Sequence, residues 1–125
     1  QTFNEAEAIL KEAEAKGMAV LSYLDPQYPQ RMKSQMDAPA ILFKKGMGEL
    51  NPDRTLAIVG TRKATTYGKQ VTQKIVEDLK DMQVQIISGL AYGIDIEAHR
   101  AALKHDTSTV AVLAVERALA NPLRS

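Results

Sequence analysis

Arg62 and Lys63 stand directly behind Gly60-Thr61, where the apolar run Leu56-Ala57-Ile58-Val59 stops. A glycine turn between a strand and a helix leaves unpaired backbone N–H groups where the helix dipole is positive. That combination attracts phosphate or another anion. An arginine at the same spot adds a planar fork that donates two parallel hydrogen bonds to phosphate. A second turn, Gly89-Leu90-Ala91-Tyr92-Gly93, follows the run Val84-Gln85-Ile86-Ile87-Ser88. If both runs are strands of one parallel sheet, both turns open on the same rim, where ligands of such sheets bind. The chemistry on offer is therefore one anion-binding crevice built from two glycine turns. Tyr67 and Tyr92 lie beside it. They are candidates for base stacking, which contributes ~1–3 kcal/mol per base. For Tyr67 the competing reading is packing on the sheet edge with a wet hydroxyl.

Asp95 and His99 fall on one helical face and invite a general acid–base reading. Ser88 is the only nucleophile candidate near them, and no third group orients the pair. A hydrogen-bonded helix histidine, and an aspartate that braces its own helix N-terminus, are the favoured readings. The chain has two histidines and no cysteine, which gives no convincing metal cluster and no disulfide. No cofactor is expected, and no catalysis.

The net charge is +1. Binding to a polyanion must then come from local clustering. Between Arg31 and Lys69 the basic residues Arg31, Lys33, Lys44, Lys45, Arg54, Arg62, Lys63 and Lys69 outnumber the acids Asp37, Glu49 and Asp53. This predicts a basic rim near the first turn. No apolar run approaches the ~20 residues that cross a bilayer. The N-terminus shows no signal-peptide core, and a cytoplasmic location with no membrane partner is expected.

The elements that must hold the two turns are read from periodicity. Phe3 to Lys16 reads as a helix capped by Asn4 and ended by Gly17. Met18 to Leu24 reads as a strand, and Asp25-Pro26-Gln27-Tyr28-Pro29 as a rigid turn. A short helix over Gln30 to Met36 and a strand over Ala40 to Phe43 follow. Thr55 to Val59 reads as the central, buried strand. The next helix runs from Thr66 to Met82, with Thr65 or Thr66 as cap and Val71, Ile75, Leu79 and Met82 as its apolar stripe. A helix over Ile94 to Lys104 turns Ile94, Ala98, Ala101 or Ala102, and Leu103 inward. Thr109 to Leu113 is a further strand, and Val115 to Ser125 reads as a helix or a frayed end. Strand, helix, strand, helix, strand argues for a parallel sheet with right-handed crossovers. The expected class is α/β: a Rossmann-like three-layer fold with a mostly parallel sheet, incomplete at the C-terminus, plus an N-terminal helix. The expected division is an N-terminal helix over residues 1–17 and the Rossmann-like domain over 18–125.

The sequence from Ala57 to Gly68, followed by Ile87-Ser88-Gly89-Leu90-Ala91-Tyr92-Gly93-Ile94-Asp95-Ile96-Glu97-Ala98-His99-Arg100-Ala101-Ala102-Leu103, resembles the DNA-processing protein A (DprA, also called Smf) family. Tyr28-Pro29-Gln30-Arg31-Met32 and Ala38-Pro39-Ala40-Ile41-Leu42-Phe43-Lys44-Lys45-Gly46 resemble it upstream. The resemblance covers Val20 to Leu113. It implies a Rossmann-like domain that binds single-stranded DNA, protects incoming strands in natural transformation and helps load the RecA recombinase. By motif position, Gly60, Thr61 and Arg62 form the phosphate pocket, with Lys63 beside them. Ser88, Gly89, Ala91 and Gly93 form its other wall. Asp95 and His99 match the second motif in a mainly structural role. His105-Asp106 stands where the family often has a glycine, and the stretch from Ala114 to Ser125 departs from the family pattern. The resemblance thus implies an incomplete family domain, whose departures fall in the part of the family fold thought to carry dimerisation and RecA contact.

Two other functions compete. A small-nucleotide enzyme or sensor of the lysine-decarboxylase-like Rossmann group needs a Pro-Gly-Gly-x-Gly-Thr turn with a downstream glutamate, which this chain lacks. A dinucleotide oxidoreductase needs Gly-x-Gly-x-x-Gly after the first strand and an acid ending the second. Gly60-Thr61-Arg62 lacks the second glycine, and Ser88 stands in place of the acid.

Overall fold

The structure, a computed structural model, describes residues 2–46 and 48–113. The expected helix or frayed end from Val115 lies outside the described residues. The chain divides into two compact units, one reaching to Asn51 and one spanning Pro52–Leu113.

The first unit opens with helix α1, Thr2–Ala15. The helix already includes Asn4, so Asn4 is not its cap. Gly17 ends it with φ +75°, a conformation that glycine adopts without steric cost. Strands β1 (Ala19–Ser22) and β2 (Ile41–Lys44) pair antiparallel, with Leu21 opposite Leu42. Ala13 and Met18 are buried and Phe43 packs against them. The Tyr28-Pro29 turn is anchored by a fully buried Tyr28, whose hydroxyl donates to the Pro39 carbonyl at 2.6 Å. A 3-10 turn over Gln30–Ser34 replaces the expected short helix.

The second unit holds both glycine turns. Strand β3 (Thr55–Ala57) leads through the first turn into helix α2 (Thr66–Asp78). Strand β4 (Gln85–Ser88) leads through the second turn into helix α3 (Ile94–Lys104), and β5 (Thr109–Ala111) follows. The sheet is parallel in the order β3-β4-β5, with Leu56 beside Ile86 and Ile87 beside Val110. Fold class α/β with a parallel sheet is what the sequence predicts. The expected place of Thr55–Val59 is corrected: among the described strands β4, not β3, is the middle one, and Val59 is 79% exposed. Only one face of the run is covered: Leu56 and Ile58 pack against the core, and Val59 is left in solvent.

Leu56 of β3 and Ile86 of β4, with Ile58 and Val84 just beyond the strand ends, keep the two-residue alternation and face one cluster with Val76, Ala98, Ala101 and Ala102. The alanines let α3 lie close on the sheet, and α2 packs along α3. Thr65 caps α2 by accepting from the Gly68 amide at 3.0 Å.

Two helix faces differ from the sequence reading. On α2 the buried residues are Thr72 and Val76, while Val71 and Ile75 are exposed, as is Met82 beyond the helix end. The Thr72 hydroxyl donates to the Gly68 carbonyl at 2.9 Å, so burying it leaves no unmade hydrogen bond. The helix also ends at Asp78 rather than Met82. On α3, Leu103 is 68% exposed, and Asp95, Glu97 and His99 are buried with the alanines.

Candidate nucleic-acid interface

The two glycine turns touch. The Ile94 amide, the first of α3, donates to the Thr61 carbonyl at 3.2 Å. Gly93 lies so close that a β-carbon on it would stand 2.2 Å from the Thr61 carbonyl oxygen and 2.6 Å from that of Arg62. Its φ of +91° is a second reason for glycine. Gly60 is pressed on the side chain of Ile94, where a β-carbon would meet Ile94 carbons at 2.6 to 2.9 Å. The start of α3 is thus seated directly on the first turn.

The second turn is braced from below. His99 contacts the Gly89 carbonyl oxygen through Nε2 at 2.7 Å and Thr109 Oγ1 through Nδ1 at 2.6 Å. A carbonyl only accepts, so Nε2 carries the hydrogen and donates. In the neutral ring Nδ1 then accepts from the Thr109 hydroxyl. Asp95 is buried, and its Oδ2 accepts from the Ala91 amide at 3.5 Å. The same oxygen would stand 2.7 Å from a β-carbon on Gly89. Ser88 is buried too, and its hydroxyl donates to the Ile58 carbonyl at 2.5 Å, joining the ends of β3 and β4.

A cavity of about 230 Å³ opens beside the junction of the turns. Arg62, Lys63 and Ala64 of the first turn form one side. Tyr92 and Gly93 line the cavity at the start of α3. Lys69 of α2 and Ile96, Glu97 and Arg100 of α3 complete it. Arg62, Lys63 and Lys69 pair with no acid among the described residues. Glu97, the one acid of the wall, accepts from Gln73 Nε2 at 2.5 Å and pairs with Arg100 at 3.5 Å. Among the described residues, four cations against one carboxylate make the cavity positive in a chain of nearly balanced charge. α3 begins here without a side-chain cap, so its dipole adds to the same field.

Of the residues read from the sequence, the structure brings Arg62, Lys63, Tyr92 and Gly93 together at the cavity. Gly60, Thr61, Ser88, Gly89 and Ala91 lie outside its wall and hold the turns that carry it. Tyr67 is 76% exposed and neither lines the cavity nor packs on the sheet. Lys69, Glu97 and Arg100 are additions. Their signal was position: each lies in the first two turns of a helix that leaves a glycine turn.

Among the described residues no helix is long and apolar enough to cross a membrane. A family model described as DNA recombination-mediator protein A matches residues 19–124. The chain is 41% identical over 100 residues to the DNA processing protein DprA of Bacillus subtilis, a match covering 79% of this chain and 34% of that protein. It is 38% identical over 86 residues to protein Smf of Escherichia coli, covering 69% and 23%. The X-ray structure of DNA processing protein A from Streptococcus pneumoniae superposes with a TM-score of 0.69 at 37% identity, covering 76% of this chain and 33% of that one. The chain thus spans about a third of the length of such relatives.

Proposed function

This chain belongs to the DNA recombination-mediator protein A family, and we propose that it binds single-stranded DNA without catalysing a reaction on it. The observation that carries this reading is the cavity at the joined turns, where Arg62, Lys63 and Lys69 have no acidic partner among the described residues. An unpaired arginine at a helix start is matched to a phosphodiester by charge and by its two-pronged geometry. Tyr92 is 82% exposed at the cavity wall. A ring so placed offers a face to a base, a mode of contact that every base can use. Arg62, Lys63, Gly93 and Tyr92 are the proposed contacts. Gly60, Thr61, Ser88, Gly89 and Ala91 shape the turns, and Tyr67, which stands away from the cavity wall, is not among the proposed contacts.

The biological setting follows from the family. Relatives named DNA processing protein and a family named for mediating recombination support a role in DNA uptake during transformation and in RecA-dependent recombination. RecA, a second copy of this chain and a cytoplasmic location are part of that proposal. The test is a fluorescent oligothymidine titrated at several salt concentrations. Affinity that falls steeply with salt supports phosphate contact. Salt-independent binding, or none, overturns it, and turnover of a mononucleotide would point to an enzyme instead.

A further inference from the structure

Glu97 is the odd residue of the cavity, since a carboxylate in the wall of an anion site should repel its ligand. It is buried, with a relative exposure of 7%. Its two oxygens face different partners: Oε1 accepts from Gln73 Nε2 of α2, and Oε2 pairs with Nη1 of Arg100 one turn further along α3. Arg100 is otherwise free to wander, with its side chain 71% exposed. A long exposed side chain loses rotamer entropy when a ligand fixes it. A partner that fixes it beforehand removes part of that loss. Gln73 matters for the same reason, because a carboxylate locked by one neighbour presents its second oxygen in a set direction. The alternative, that Glu97 serves only to link α2 to α3, would need no cation on its second oxygen.

Resting on the reading of the cavity as a DNA site, the geometry points to Glu97 as a positioning residue that aims Arg100 at the DNA backbone, with Gln73 as its lock. The inference has a sign that separates it from bulk electrostatics. Glu97→Gln removes a negative charge beside the ligand, so charge alone predicts tighter binding of a polyanion. Positioning predicts weaker binding, by roughly two- to fivefold, the scale of one partly exposed ion pair. The salt slope should also fall by about one, as for the loss of one phosphate contact. A purely structural role would leave that slope unchanged.

The experiment is oligothymidine binding to the 125-residue chain and to its Glu97→Gln, Gln73→Ala, Arg100→Ala and Glu97→Gln/Arg100→Ala variants, each over a salt series. The expected result is weaker binding and a reduced slope in all four. The double variant should bind no worse than Arg100→Ala. Gln73→Ala carries no charge change and alters an exposed position, so it reports even if Glu97→Gln fails to fold. Equal or tighter binding by Glu97→Gln, or unchanged binding by Gln73→Ala, overturns the inference. Failure of the underlying reading is recognised separately, because the unaltered chain would then show no salt-dependent binding.

Discussion

Gly93 and Thr61 are in backbone contact: the space for a β-carbon on Gly93 is already filled by the Thr61 carbonyl oxygen, 2.2 Å away. This contact joins the end of one strand–turn–helix unit to the start of the other. It also brings Arg62 and Tyr92 to the same cavity. Gly93→Ala should therefore cost stability twice, through its positive φ and through the clash with backbone. We expect a loss of about 2–4 kcal/mol in urea denaturation, together with weaker DNA binding in the fraction that remains folded.

Arg62→Ala should weaken oligothymidine binding by ~1–3 kcal/mol, the worth of a lost hydrogen bond to a charged group. Because Arg62 is exposed and pairs with no acid among the described residues, its removal should leave the denaturation midpoint within experimental error. Fluorescence anisotropy against a denaturation curve separates the two effects.

The two tyrosines should behave differently although both are largely exposed. Tyr92→Ala should cost ~1–3 kcal/mol of binding if a base stacks on it. Tyr67→Ala, away from the cavity wall, should change binding by less than about 0.5 kcal/mol, as surface substitutions generally do. Equal losses at both positions would place the bases elsewhere.

Removing His99 should act on the second turn from a distance. His99→Ala strips the Gly89 carbonyl and Thr109 hydroxyl of a buried partner, and a loss of about 2–3 kcal/mol in stability is expected. Amide hydrogen exchange should show the greatest rise from Gly89 to Ala91, next to the lost brace.

At the end of α3 the Thr107 amide donates to the Ala102 carbonyl at 2.8 Å and the Asp106 amide to Leu103 at 3.2 Å. This is a Schellman closure, and Asp106 occupies its left-handed position with φ +56°. Asp106→Gly should relieve the strain and stabilise the chain by about 0.5–1 kcal/mol. The same geometry explains why a glycine fits this position, which the sequence could mark only by resemblance.

What the sequence made legible is what periodicity and glycine report. The strands, the two turns and the helices after them follow from apolar runs that stop at Gly60 and Gly89. Helix faces were less legible. Val71 and Ile75 have the same spacing as Thr72 and Val76, and only the hydrogen bond from Thr72 to Gly68 shows why the second pair can be buried. The edge position of β3 was hidden because the residues of a run do not say which strands flank it. Burial of Asp95, Glu97 and His99 ran against their polarity, and it depends on partners in Ala91, Gln73, Gly89 and Thr109 that lie on other elements. For that reason the cavity has a wall, in Lys69, Glu97 and Arg100, that no single motif announces.

On the proposed function, the joined turns hold a DNA backbone. It is tested most directly by titrating the isotope-labelled chain with oligothymidine and following each backbone amide by NMR. The amides of Arg62, Lys63, Tyr92 and Gly93 should shift first and saturate together, at a DNA concentration that rises with salt. Shifts confined to other surfaces, with these four amides unmoved at saturation, would contradict it.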